Sequence, residues 1–179
     1  DKFMSRQLSL QIDLERCTGC KSCEVACKTE HGLGAGVRRN RVLWLSDAVG
    51  EATDTPLSFI PLSCQHCTRP ACARACPVVP KAISKDPDTG IVVVDPERCV
   101  GCGECVAACP YGAMGFDADR HQAAKCDLCV ERRAEGQTTT ACASVCPTGA
   151  IRFGKRDEWI SAAEAEGRER LDFDQYLLG

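Results

Sequence analysis

At 179 residues the chain is long enough for one compact domain or two small lobes. A net charge of −3 with no basic stripe excludes a nucleic-acid binder, and no apolar run reaches the roughly eighteen residues needed to span a membrane as a helix. Aromatic residues are only 5% of the chain, and much of its 44% hydrophobic content is cysteine and alanine, so a conventional core is thin.

The N-terminus shows neither an apolar export segment nor a twin-arginine pair, and Asp1-Lys2-Phe3 ahead of Met4 reads as a tag remnant. A short apolar strand ending at Ile12 enters a loop carrying Cys17, Cys20, Cys23 and Cys27. Residues 42–45 and 57–62 read as two strands of a hairpin, with Pro61 at an edge. A second loop follows with Cys64, Cys67, Cys72 and Cys76, then the turn Asp88-Thr89-Gly90 and the clearest strand, residues 91–94. That strand enters a third loop with Cys99, Cys102, Cys105 and Cys109. Tyr111-Gly112-Ala113-Met114 then reads as a glycine turn into a strand. Cys126, Cys129, Cys142 and Cys146 make the fourth group, with residues 132–140 expected to face solvent or a partner. Thr148-Gly149-Ala150-Ile151 is another glycine turn into a strand. A helix over 157–170, weakened near its end by Gly167, precedes an apolar tail, residues 171–178, suited to gripping a partner or folding back.

Sixteen cysteines in four groups of four, with none left over, set the chemistry. The first and third groups read C-x2-C-x2-C-x3-C, the run that cages a cubane iron–sulfur cluster, its fourth cysteine commonly serving a second cluster. Disulfides fit poorly, because neighbouring cysteines in a tight loop do not all find partners at bonding geometry. Zinc ribbons use two C-x2-C pairs per site, whereas here one loop supplies three thiols. Four [4Fe–4S] clusters account for every cysteine, and metal binding then supplies much of the folding free energy.

The groups belong to an internal repeat. Ile12-Asp13-Leu14-Glu15-Arg16-Cys17-Thr18-Gly19-Cys20 recurs 82 residues later as Val94-Asp95-Pro96-Glu97-Arg98-Cys99-Val100-Gly101-Cys102. Ala71-Cys72-Ala73-Arg74-Ala75-Cys76-Pro77 recurs 70 residues later as Ala141-Cys142-Ala143-Ser144-Val145-Cys146-Pro147. Proline follows Cys76, Cys109 and Cys146 but not Cys27. The expected fold class is α+β: two bacterial-ferredoxin-like lobes of βαββαβ type with long cluster-binding loops.

The order of these groups, the Cys64-Gln65-His66-Cys67 step, Cys109-Pro110-Tyr111-Gly112-Ala113 and Lys125-Cys126-Asp127-Leu128-Cys129-Val130-Glu131-Arg132 resemble the four-cluster electron-transfer subunits of molybdopterin oxidoreductases, the dimethyl sulfoxide and polysulfide reductase family. The resemblance spans residues 12–153. It implies a nested ligand pattern in which Cys17, Cys20, Cys23 and Cys146 hold one cluster and Cys27, Cys126, Cys129 and Cys142 another. Cys64, Cys67, Cys72 and Cys109 would hold a third, and Cys76, Cys99, Cys102 and Cys105 a fourth. It further implies an outer lobe of residues 1–37 and 110–179 and an inner lobe of residues 38–109.

The implied function is a non-catalytic relay of single electrons through four [4Fe–4S] clusters, between a molybdenum- or tungsten-pterin catalytic subunit and another carrier. Further copies of the same polypeptide or a flavin- or quinone-linked subunit are the other partners. One alternative is a self-associating, polyferredoxin-like subunit of a soluble tungsten aldehyde oxidoreductase. Another, of a different class, is an iron–sulfur redox sensor, although a sensor needs one labile cluster rather than four. Free thiols in this number suit a reducing compartment, so the expected location is cytoplasmic, with export only alongside a partner. Lys21, Lys28, Arg98 and Lys125 adjoin ligands, where a positive charge raises cluster potential or simply meets solvent. His66, between two ligands, is a candidate donor to sulfur; His31 and His121 carry no partner pattern.

Overall fold

The computed structural model describes residues 6–44 and 59–167. The fold mixes short helices with two-stranded antiparallel ladders, so it is α+β. Strand β1 (Leu8–Ile12) leads into the first cysteine loop and helix α1 (Ser22–Glu30). Strands β2 (Asn40–Trp44) and β3 (Phe59–Ser63) form the expected hairpin. Helix α2 (Ala71–Ala75) carries Cys72, and strands β4 (Ile83–Lys85) and β5 (Val92–Val94) flank the turn before helix α3 (Glu104–Ala108). Strands β6 (Gly115–Asp117) and β7 (Gln122–Ala124) pair, and helices α4 (Val130–Ala134) and α5 (Ala141–Ser144) lead to β8 (Ile151–Lys155) and α6 (Arg156–Ala165).

Two ladders decide which cysteine groups meet. β1 pairs antiparallel with β8, Leu8 opposite Lys155 and Ile12 opposite Ile151, so the first and fourth groups emerge side by side. β4 pairs with β5, Ile83 opposite Val94, and brings the second and third groups together. The two halves share a detail: Asp13 N–H donates to Ala150 O at 2.8 Å, and its repeat partner Asp95 donates to Ala82 O at 2.7 Å. The residue opening each cluster loop is thus pinned to the strand that follows the partner group's last cysteine. Helix α1 then packs on α5, and α2 on α3.

Two segments pack at least in part away from the lobe that the sequence expectation gave them. Val42 of the hairpin, grouped with residues 38–109, lies in a cluster with Cys23, Cys142 and Ile151, and Phe59 packs against it. Val42 N–H also donates to Glu24 Oε1 on α1 at 2.6 Å. Met114 and Ala123, grouped with residues 110–179, pack with Cys76, Ile83, Val92 and Cys105, while the adjacent Ala124 packs with Leu33 and Val37 of the expected lobe. The apolar faces of these two short hairpins choose the nearer core, a contact that linear order does not specify. The last helix ends at Ala165 instead of 170, because Gly167 takes the left-handed conformation with φ +65°. The tail beyond it, and residues 57 and 58 of the expected strand, lie outside the described residues.

Repeat-related Gly19 and Gly101 share φ +68° in the cluster loops. A Cβ on Gly101 would stand 2.6 Å from His121 O, a backbone atom that cannot swing aside. Gly103, at φ +79°, faces open space. Gly103→Ala should therefore cost only the left-handed backbone penalty, about 1–2 kcal/mol, and Gly101→Ala distinctly more. Thermal bleaching of the visible absorption should come at a lower temperature in Gly101→Ala; equal midpoints would show that the loop yields.

Candidate metal centres

The buried apolar clusters are built largely around sulfur. One contains Cys76 and Cys105 with Cys72, Cys99 and Cys109 packed on it; another contains Cys23 and Cys142 with Cys146. A third joins Cys126 to Ile91 and Leu128, with Cys64 against it. All sixteen cysteines are free.

Two cavities open among them. The first, about 370 Å³ of empty space out to its mouth, is lined by Cys64, Cys67, Cys72 and Cys109, with Val92, Tyr111, Met114 and Lys125. The second, about 310 Å³, is lined by Cys17, Cys20, Cys23 and Cys146, with Val42, Pro61, Thr148 and Ile151. Each quartet takes three thiols from one group and one from the partner group. The remaining eight thiols line neither cavity. Cys27 feels the charge of Cys142 and Cys129, and Cys126 that of Cys142 and Cys64. Cys105 feels Cys99, Cys72 and Cys102, and Cys76 and Cys99 join it in one cluster.

The electrostatics set what these thiols need before they can ionise. Burial, reinforced by Cys142, pushes the Cys23 and Cys27 thiols up to about 12. Burial likewise raises Cys105 and Cys129 to about 11, and Cys126 well above its ordinary range. A bare quartet of thiolates is therefore untenable here, and the ligands would shed their protons only to a metal that replaces the charge. Backbone amides are already aimed at sulfur: His66 N–H at Cys64 and Ala113 N–H at Cys109, both 3.4 Å, and Ala123 N–H at Cys99 and Leu128 N–H at Cys126, both 3.5 Å. At Cys146 burial opposes ionisation, yet donors from Ile151, Ala150 and Thr148 together with the Thr148 hydroxyl hold the thiol below its ordinary value. Cys76 has the same pattern, with donors from Val78, Ala82 and Ile83 outweighing burial. Such N–H···S bonds stabilise negative sulfur and raise cluster potentials. The donor set and the two thiol-lined cavities fit [4Fe–4S] groups.

The four basic residues beside ligands prove unlike one another. Lys21 is exposed, and Arg98 pairs with Asp95 at 3.2 Å on the surface. Lys28 ties down its loop, donating to Gly34 O at 2.6 Å and Val37 O at 3.0 Å. Lys125 is 4% exposed and donates to Cys126 O at 2.6 Å. His66 is buried in the left-handed region at φ +47°, its Nδ1 accepting the Val92 N–H at 2.9 Å. Of residues 132–140, the first three complete α4, 134–138 are exposed and Thr140 is buried, with Arg132 bound to Glu30 at 3.0 Å.

His31, to which no pattern pointed, stands with Nε2 3.6 Å from Cys129 Sγ. Arg39 holds it there, 3.3 Å from His31 Nδ1 and 2.7 Å from Asp127 Oδ2. Burial, helped by Arg39, lowers the imidazole pKa. The contact joins residues 98 positions apart, so no local signal was available to find it.

Comparison with known proteins agrees with this chemistry. The family described as "4Fe-4S dicluster domain" matches residues 55–156, and "4Fe-4S binding domain" matches residues 10–29. The chain is 36% identical over 166 residues to the thiosulfate reductase electron transfer subunit PhsB of Salmonella typhi, covering 90% of this chain and 85% of that one. It is 40% identical over 161 residues to the probable anaerobic dimethyl sulfoxide reductase chain YnfG of Escherichia coli (strain K12), covering 87% and 77%. To the formate dehydrogenase iron-sulfur subunit of Haemophilus influenzae it is 35% identical over 173 residues, covering 88% and 54%. The chain belongs to the 4Fe-4S dicluster family, among the iron–sulfur electron-transfer subunits of molybdopterin oxidoreductases.

Proposed function

We propose that this chain is a non-catalytic wire of four [4Fe–4S] clusters, relaying single electrons between a molybdenum- or tungsten-pterin catalytic subunit and a second redox carrier. The observation that carries the reading is the pair of cavities, each lined by a crossed quartet of cysteines. Cys17, Cys20, Cys23 and Cys146 would hold the first cluster, and Cys27, Cys126, Cys129 and Cys142 the second. Cys64, Cys67, Cys72 and Cys109 would hold the third, and Cys76, Cys99, Cys102 and Cys105 the fourth. When bound, each cluster supplies a one-electron carrier.

What the protein contributes is order. α1 carries Cys23 and Cys27, ligands of the first and second sites, and α5 with its following residues carries Cys142 and Cys146. α2 and α3 join the third and fourth sites in the same way, through Cys72 with Cys76 and Cys105 with Cys109. Between the halves, Cys64 of the third site packs beside Cys126 of the second. A linear sequence of four follows. Its ends are marked by exposure: of the sixteen cysteines only Cys20 and Cys102 are exposed, one in each terminal quartet. Two lobes follow as well, with the β2–β3 hairpin on the first and the β6–β7 hairpin shared between them, in keeping with their packing.

Complete thiolate ligation leaves no open iron position for substrate, which supports a role in transfer rather than catalysis. No helix among the described residues is long and apolar enough to cross a membrane. Sixteen free thiols favour assembly in the reducing cytoplasm. Iron and acid-labile sulfide analysis of the anaerobically purified protein should give about sixteen of each, with a spin-coupled EPR spectrum on reduction. Zinc without visible absorption would remove the reading.

A further inference from the structure

Lys125 is the charged side chain that the wire leaves unexplained. It is 4% exposed, yet no carboxylate among the described residues lies within ion-pair distance of it. Its ammonium makes one hydrogen bond, to the carbonyl of the next residue, Cys126. A buried ammonium without a counter-charge is strongly unfavourable, so an anion is expected nearby. The structure offers two positions for one. Lys125 lines the cavity of Cys64, Cys67, Cys72 and Cys109, and it directly precedes Cys126, a ligand of the neighbouring site. A cubane with four thiolates is anionic in both oxidation states and gains one further negative charge on reduction.

We propose that the Lys125 ammonium is the counter-charge shared by the two inner clusters, raising both potentials together and holding level the step that joins the two halves of the wire. The inference rests on the four-cluster reading and adds to it a residue that is not a ligand. Two other cations act on the same buried His66, each bonded to more than one partner. Lys85 is committed to His66 O and Cys67 O at 2.8 and 2.9 Å, and Arg133 to Leu128 O at 3.0 Å and the Phe153 ring. His66, between them, is kept neutral by burial and by these cations.

The test is EPR-monitored redox titration of the full-length, cluster-loaded protein, as wild type, Lys125→Met, Lys125→Arg and Lys21→Met. In Lys125→Met, two of the four clusters should show at least a tenfold loss of reduced form at fixed potential, about 59 mV or more downward for one electron. The other two should stay in place. Lys125→Arg should keep all four within that margin, and Lys21→Met, an exposed charge beside Cys20, should move none by a tenfold. Loss of clusters in Lys125→Met but not Lys125→Arg also supports a need for the charge. Unmoved potentials in Lys125→Met, a shift of one cluster alone, or equal damage in Lys125→Arg would overturn the proposal. Wild-type protein without about sixteen irons would instead bring down the four-cluster reading beneath it.

Discussion

Cys146→Ser should abolish the cluster proposed for Cys17, Cys20 and Cys23, lowering iron by about four atoms per polypeptide, while the Cys126, Cys129 and Cys142 site keeps its signal. Position drives this expectation. Cys146 lies beyond α5 and lines the cavity that holds the first-group thiols Cys17, Cys20 and Cys23, which its sequence neighbour Cys142 does not line. If each cysteine group served one cluster in sequence order, the same substitution would strike the Cys126 site instead. A double substitution separates the two outcomes cleanly. With shared ligation, Cys17→Ser and Cys146→Ser together cost no more iron than either alone, the non-additivity of residues acting as one unit. With sequential ligation their losses add. Additive loss measured by iron analysis and EPR spin counting would end the nested assignment.

The local part of this arrangement was legible in the sequence because its determinants are local. Three thiols within one turn, a glycine at Gly19 or Gly101, and a proline after Cys76, Cys109 or Cys146 act over fewer than ten residues. The strand at residues 91–94 and the hairpin likewise announced themselves by β-branched runs and turn residues, and both formed. What spacing did not contain was contact between distant segments. The β1–β8 ladder that closes the first group on the fourth joins residues more than 130 apart, and only resemblance to a family suggested its result. Val42 packs in the core opposite to its grouping in sequence, and β7 divides between two cores at Ala123 and Ala124, because so few apolar side chains answer to proximity alone. Lys125 and His31 are the same lesson at single residues. Lys21 and Lys125 look alike beside a cysteine in sequence, but one meets solvent and the other is buried in the lining of the Cys64 cavity.

Stripping the iron should unfold the protein, with loss of visible absorption and loss of secondary structure coinciding. Among the described residues few large side chains are fully buried; Leu128, Val92 and Thr140 are the ones below 2% exposure. The remaining core positions include Cys23, Cys27, Cys76, Cys105, Cys126, Cys129 and Cys142, so much of the buried volume is thiol rather than hydrocarbon. Structural metal sites contribute on the order of 10 kcal/mol, comparable to the roughly 5–15 kcal/mol by which whole domains are stable. No other term in this thin core is large enough to replace even one site. The pH dependences of the two forms should also be opposite in sign. In the iron-free protein, Cys23 and Cys27 are raised from an ordinary 9.0 to about 12, so any residual structure they support is intact below about 9 and is lost as pH rises between those values, where the unfolded thiols ionise first. In the loaded protein the ligands are thiolates, and acid restores their protons at the expense of the metal, so stability falls as pH falls. Circular dichroism and visible absorption followed together through chelation, and then through pH, measure both. A stripped protein that keeps its native spectrum and melts cooperatively would show that side-chain packing alone holds the fold.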